Sequence, residues 1–393
     1  MSGSLAVQKM VLSVGLLLEA ALVQSACGSK PAELKLGYIG DFSDPDDTFS
    51  QTAKLALEDR VKEVNAKGGI NGMKVQLIPY DVKGNLDNAA DGTRKLIEQD
   101  HVAGIVGPGF SAGTFSLGTI AEAARVPIIA TTATDPRVTQ NEGGSVKPYM
   151  FRASFTDPYQ AAILADFAFK DLNKRKAAFI YGSDYPYPGV ILKHFEAEFA
   201  RLGGQVVAKE GFNWGNKDFK NQLTNVAKAK PDCLVIATAA VQDISRITQQ
   251  AQAMGLKFQY LGPDGWANND LLPAAGKLLE GSYLTTGVSA GDPKFADFNA
   301  QFKQAHNRPC DISSYYTLDA FMAMEYAARA SLDKAGKIDP AVMRNSLETM
   351  KDVPVFTGHL TMDPATHNPF NRPMLIVTIK DGQWRTFKTF QAQ

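Results

Sequence analysis

Beginning at residue 34, short apolar runs alternate with longer stretches whose apolar positions recur every three or four residues. Leu34–Ile39 reads as a strand. Ala53, Ala56, Leu57, Val61 and Val64 then share one helix face, and Lys67-Gly68-Gly69 ends that helix. Met73–Tyr80 is the next strand, followed by a helical stripe of Ala89, Thr93, Leu96 and Ile97. Val102–Val106 runs into Gly107-Pro108-Gly109 ahead of another helix, and Pro127–Ala130 is a further strand. The rhythm restarts with Ala161, Leu164, Ala165 and Ala168 on a helix face and the strand Ala177–Tyr181. A helix carrying Ile191, Phe195, Phe199 and Leu202 stops at Gly203-Gly204. Strands at Gln205–Ala208 and Cys233–Ala237 follow, then a stripe of Ile244, Ile247, Ala251 and Met254 before Gly255.

Strands alternating with helices of this length predict βαβ units and parallel sheets, an α/β fold. Two such sets cover about 34–150 and 153–280. The remainder holds a helix from about Ser313 to Lys334, a shorter one near 339–350, and strands near 355–361 and 374–379. It is too small for a third α/β domain, so it is expected to be shared between the first two. Two lobes joined by several crossings would enclose a cleft at the carboxyl ends of their strands, where open α/β sheets bind ligands.

The length of 393 residues suits two or three domains, each with its own core. Lys+Arg and Asp+Glu number 41 each, so the formal net charge is zero, which argues against a nucleic-acid binder. Before the first strand, Lys9 precedes an apolar stretch from Met10 to Val23 that only Ser13, Gly15 and Glu19 interrupt. This predicts an export signal over residues 1–26 and a polar linker over 27–33. The stretch is short for a membrane span of ~20 residues. Ser25-Ala26-Cys27-Gly28-Ser29 resembles a bacterial lipoprotein signal, whose cysteine becomes the lipidated first residue. Gln24 in place of the usual leucine and Glu19 inside the apolar run depart from that pattern. Cys27 is the expected lipidation site, and the location is periplasmic or membrane-anchored on the extracytoplasmic side. Cys233 and Cys310 are left either as a pair or as two free buried thiols.

The motifs of catalysis are missing. No GxGxxG follows the first strand, and no P-loop, HExxH or GxSxG occurs. The histidines, His101, His194, His306, His359 and His367, are scattered and read as surface or structural residues. Ser111 follows a Gly-rich turn, but nothing in the sequence nominates a His and an acid to activate it. No cofactor, no metal site and no enzymatic activity are expected.

Several segments resemble the periplasmic branched-chain amino-acid-binding proteins. These are Leu36-Gly37-Tyr38-Ile39-Gly40-Asp41-Phe42-Ser43 and Glu63-Val64-Asn65-Ala66-Lys67-Gly68-Gly69-Ile70-Asn71-Gly72. Further matches are Val106-Gly107-Pro108 through Ser111, Ala133-Thr134-Asp135-Pro136, Phe151-Arg152 and Gly262-Pro263-Asp264-Gly265-Trp266. Each motif is weak alone; their order along the chain from residue 34 onward is what carries the resemblance. It implies a two-lobe type I periplasmic-binding fold with hinge crossings near 151–155, 281–288 and 354–361. Lobe 1 would then comprise 34–152 plus 281–354, and lobe 2 would comprise 153–280 plus 355–393. It further implies a receptor that delivers an amino acid or close relative to the membrane subunits of an ABC importer, and a monomer is expected; the alternatives are the same fold binding an aromatic carboxylate or amide, and a sensory ligand-binding domain.

The resemblance also implies site residues. Ser111 and Thr134 match hydroxyls that hold a ligand α-carboxylate, and a helix N-terminus behind Ser111 would favour that anion. The alternative for Ser111 is a cap on its own helix. Thr132 matches a position whose carbonyl accepts from the ligand ammonium, and Asp264 matches the acid that pairs with it. Phe49 falls where the family places an aromatic over the ligand. Tyr185 or Tyr187 would serve as the second lobe's tyrosine, with Pro186 and Pro188 re-aiming that loop. Ala239-Ala240-Val241 stands where a family tyrosine is absent, and Trp266 or Tyr316 would fill the space, or a larger ligand would. Asp44, Asp46 and Asp47 near the expected cleft mouth read either as a solvated loop or as a preference for a cationic or amine-rich ligand.

Overall fold

Five strands build the first sheet: β1 (Glu33–Gly40), β2 (Lys74–Asp81), β3 (Gly104–Val106), β4 (Ile128–Ala130) and β5 (Met150–Arg152). The computed structural model describes residues 33–45, 47–370 and 372–391. All pairs in this sheet are parallel, in the order β2-β1-β3-β4-β5, with Leu36 opposite Leu77 on one side and Gly104 on the other. Its central strands are apolar on both faces, as a sheet covered by helices on both sides requires. The helix Thr48–Ala66 lays Ala53, Leu57, Val61 and Val64 on the sheet, and the Asp47 carboxylate caps it by accepting from the Ser50 N–H. It ends where Gly68 and Gly69 take positive φ; a Cβ on Gly69 would lie 2.0 Å from the Met73 carbonyl oxygen.

The second sheet starts with β6 (Lys176–Gly182), β7 (Gln205–Phe212), β8 (Cys233–Ala237), β9 (Tyr260–Gly262) and β10 (Tyr283–Thr286). A ribbon of β11 (Val353–Val355), β12 (Gly358–Met362) and β13 (Pro369–Phe370) precedes β14 (Met374–Lys380) and β15 (Gln383–Phe390). The second sheet runs β15-β14-β10-β9-β8-β6-β7, parallel except for the antiparallel pairs that β14 makes with β10 and β15. The molecule is thus an α/β protein of two lobes.

The chain passes between the lobes three times: between β5 and the helix Asp157–Asp166, after β10, and between β13 and β14. The first passage covers residues 153–156, between β5 and that helix. The boundary at 281 does not hold, because β10 at 283–286 still belongs to the second sheet. The expected third crossing at 354–361 also moves. Val353, Val355, Leu360 and Met362 pack into the first lobe's core with Leu34 and Leu36, and the chain leaves only after Phe370. Alternating apolar residues mark a strand but not the sheet it joins.

The helix Ile312–Ala335 starts at the Asp311 cap, ends at Gly336 in the left-handed region, and buries Ala320, Phe321, Met324 and Ala328 against the first sheet. The single helix expected after Gly109 is divided into a short turn, Ala112–Thr114, and the helix Leu117–Ala124. Gly113 lies in the turn and packs against Phe110, whose ring a Cβ there would approach to 2.3 Å. Cys233 and Cys310 are both buried and unpaired. Cys27 and the expected signal over 1–26 lie outside the described residues, and among those no helix is long and apolar enough to cross a membrane.

Candidate functional site

Both lobes line one cavity of about 400 Å3 at the carboxyl ends of their strands. The first lobe contributes the loops after β1, β3 and β4 and the start of the helix Thr48–Ala66. The second contributes the loops after β6, β7, β8 and β9. Ser111, Thr132, Thr134, Phe49, Tyr185, Tyr187 and Asp264 all face this one space. Thr48 and Asn268 meet across it: the Asn268 amide donates to the Thr48 hydroxyl at 2.7 Å, one lobe to the other.

The first-lobe wall is a row of hydroxyls held from behind. Ser111 makes no cap bond to its own turn; its Oγ accepts from the Asp135 N–H at 3.3 Å. The capping alternative therefore fails, and the hydroxyl proton is not used by the helix. Thr132 donates to the Gly109 carbonyl at 2.9 Å, tying the two loops together. Behind Thr134 lies the fully buried Arg152, which donates to the carbonyls of Ala133 and Asp135, each at 2.9 Å, and to Asn368 Oδ1 at 2.9 Å. Burial lowers this guanidinium to about 10.

Opposite stands Asp264, buried on the second lobe. Its Oδ1 accepts from Gln160 Nε2 and from the Tyr187 hydroxyl, both at 2.7 Å. The Tyr187 oxygen also accepts from the Gly265 N–H at 3.1 Å. Burial raises the Asp264 carboxyl to about 6, and these donors pull it back only in part. Gln160, itself fully buried, also donates to Asp157 Oδ1 at 2.9 Å and accepts from the Asp264 N–H at 3.0 Å. Asp157 is held well above the usual carboxylate range by burial and by the Asp264 charge.

Trp266 and Tyr316 do not reach the cavity. Trp266 is fully buried, donates from Nε1 to the Ile236 carbonyl at 2.9 Å, and occupies the space that a Cβ on Gly262 would need. It fixes the turn that presents Asp264. Tyr316 packs edge-on against Phe155 at 6.0 Å, beneath the first crossing. Both are large aromatics that found apolar neighbours, which periodicity alone does not distinguish from ligand contacts. Of the two tyrosines left open, Tyr187 bonds Asp264. Tyr185 bonds Thr238 at 3.0 Å and meets Trp214 edge-on at 5.6 Å. Pro186 and Pro188 do not break the loop; they open the helix Pro186–Arg201, where proline is tolerated.

Asp44 and Asp47 of the acidic cluster line the cavity beside Asp41; Asp46 lies outside the described residues. Sequence reasoning missed Gln160, Trp214 and Asn268. Gln160 carried a signal, a polar residue four positions before Leu164 on an apolar helix face. Among the described residues no group of three or more His, Cys, Asp or Glu is placed to hold a metal ion.

A family model described as periplasmic binding protein matches residues 33–383. The chain belongs to that family. As a periplasmic binding protein it is similar to the Leu/Ile/Val-binding protein of Escherichia coli K12, 26% identical over 84% of this chain and 87% of that one. Its fold matches the branched-chain amino acid transporter substrate binding protein LivJ of Streptococcus pneumoniae, solved with isoleucine, at a TM-score of 0.80, 24% identity and 92% and 99% coverage. It also matches a solute binding protein of an ABC transporter from Rhodopseudomonas palustris BisB5, solved with 3,4-dihydroxybenzoic acid. That match has a TM-score of 0.81, 24% identity and 92% and 98% coverage.

Proposed function

We propose that this periplasmic binding protein is the extracytoplasmic receptor of an ABC importer and holds an amino acid or a close relative between its lobes. The observation that carries the reading is the pair of hydroxyls Ser111 and Thr134, with Thr132 between them on the same wall, set across one cavity from the buried Asp264 carboxylate. Hydroxyls and backbone dipoles take the ligand's carboxylate, and Asp264 takes its ammonium in a charge-assisted hydrogen bond. The site binds and releases; it supplies no activated nucleophile. Export through residues 1–26, lipidation of Cys27, a monomeric state and docking on importer membrane subunits belong to the same proposal. So does hinge closure about the three crossings, with Asn268–Thr48 as a bond that opening would break.

A thermal-shift screen of amino acids, aromatic acids and amides tests the reading. A ligand at 100 times its dissociation constant adds about 2.7 kcal/mol of stability. Amino acids are expected to raise the melting temperature, and a response confined to aromatic acids favours the reading suggested by the dihydroxybenzoate-bound relative. Within the amino-acid reading, Ser111→Ala removes a hydroxyl bonded to an anion, a loss of roughly 1.5–3 kcal/mol. Affinity measured by calorimetry is expected to fall about tenfold or more. Unaltered affinity would leave Ser111 as no more than the acceptor for the Asp135 N–H.

A further inference from the structure

Five aspartates line the cavity: Asp41, Asp44 and Asp47 from the first lobe, and Asp184 and Asp264 from the second. Among the described residues no Lys, Arg or His lines it. The whole chain is neutral, so this excess is local. An amino acid with an uncharged side chain brings one positive and one negative charge and leaves the balance unchanged. An aromatic carboxylate makes it worse. Only a ligand carrying an additional cation reduces it.

We infer that the ligand of this cleft is a basic amino acid or close relative, with an ammonium or guanidinium group at the end of its side chain. The inference rests on the amino-acid reading of the site and narrows it.

The backbone contacts of Asp47 and Asp184 do not account for their charge. Asp47 caps its helix through Ser50, a task that Asn and Ser perform as well. Asp41 accepts from the Asp44 and Gly84 N–H groups, and Asp184 from the Trp214 N–H at 2.8 Å. Asn would meet the Asp184 contact as well, whereas Asp41 uses both oxygens, Oδ1 for the Asp44 N–H and Oδ2 for the Gly84 N–H, which an amide cannot reproduce. Burial, then the neighbouring Asp41 and Asp44 charges, holds the Asp47 carboxyl up at about 6, which a bound cation would relieve.

The rings in the same cavity suit a cation on an aliphatic stem. Phe49, Phe110, Tyr185 and Trp214 line it, and Trp214 is 47% exposed while its backbone is held by Asp184. Aromatic faces beside carboxylates receive the stem by apolar contact and the head by cation–π and Coulombic attraction. A leucine-like side chain would use the rings but bring no charge to the carboxylates.

Calorimetry on the full chain with lysine, arginine, leucine and benzoate tests this, at low salt and at roughly 0.5 M salt, where exposed charges are screened. Lysine or arginine is expected to bind at least about tenfold more tightly than leucine, with the advantage shrinking in high salt. Asp184→Asn keeps the acceptor for the Trp214 N–H, and Asp47→Asn keeps the Oδ1 acceptor of the helix cap, with the Ser50 hydroxyl then accepting from the new amide instead of donating to Oδ2. At least one of them should weaken the basic amino acid about fivefold or more and change leucine less than about twofold. Leucine binding as tightly as the basic amino acids, or basic amino acids unaffected by both variants, overturns the inference while the amino-acid reading stands. Binding of benzoate alone, or of none of the four, overturns both.

Discussion

Asp264→Asn is expected to lower affinity for the amino-acid ligand more than a hundredfold while leaving the fold intact. The substitution keeps the shape and the Oδ1 acceptor to which Gln160 and Tyr187 donate. It removes the charge that an ammonium needs in a buried site. Breaking a buried ion pair by removing one partner costs roughly 3–5 kcal/mol, which is the hundredfold or more expected here. A simple carboxylic acid or amide brings no ammonium, so the same change would cost about 0.5–1.5 kcal/mol. Calorimetry with the best ligand of the screen separates the two, and a loss under tenfold ends the α-amino-acid assignment while the fold stands. The pH dependence gives an independent reading. Burial holds Asp264 at about 6, so a proton competes with an ammonium ligand there as the solution is acidified. Affinity is expected to be flat between about pH 7 and 8, where the ligand ammonium stays charged, and to fall as pH drops through 6; Asp264→Asn should reduce that dependence, leaving only the part due to Asp47.

Much of this was legible in the sequence because it depends on local pattern. The helix after Asp47 and its Gly68-Gly69 stop follow from apolar spacing and from glycine's access to positive φ, and both stand where expected. The hydroxyl wall and Asp264 came from residue-by-residue likeness to a family, and the structure brings them to one cavity. What failed concerned three dimensions. Whether β10 and the 353–362 ribbon join the first or second lobe depends on which apolar surface is left uncovered, and alternation along a strand does not record that. Trp266 and Tyr316 are ambiguous in the sequence because a large aromatic near a binding motif suits either a pocket or a core. Gly262, which leaves room for the indole, was the residue that pointed to the core. Trp214 sits in a loop between a strand and a helix, where no periodicity operates, and only the β7 exit brings it over Asp184.

Gln160→Leu should test whether Asp264 is held by a network or merely sits in one. The Gln160 amide is fully used. Nε2 donates to Asp157 Oδ1 at 2.9 Å and Asp264 Oδ1 at 2.7 Å; Oε1 accepts from the Asp264 N–H at 3.0 Å and the Thr285 hydroxyl at 3.3 Å. Leucine fills a similar volume and makes none of these bonds. Two buried carboxyls lose their shared donor, and a buried N–H loses its acceptor. An unsatisfied buried group costs about 1–3 kcal/mol, and these losses share partners and do not simply add. A combined loss of about 3–5 kcal/mol is expected, which for a chain of this size is a fall in melting temperature of roughly 4–6 °C. The sign of its pH dependence follows from Asp157 and Asp264, both raised in the folded state. A carboxyl raised in this way contributes stability below its unfolded value and loses it as pH rises through the folded one. Removing the shared donor raises both further, so the variant's deficit should be smaller at pH 5 than at pH 7.5. Melting curves of wild type and variant at the two pH values decide it. A fall of less than about 2 °C, or a deficit equal at both pH values, would mean that Gln160 does not hold the two carboxyls in place.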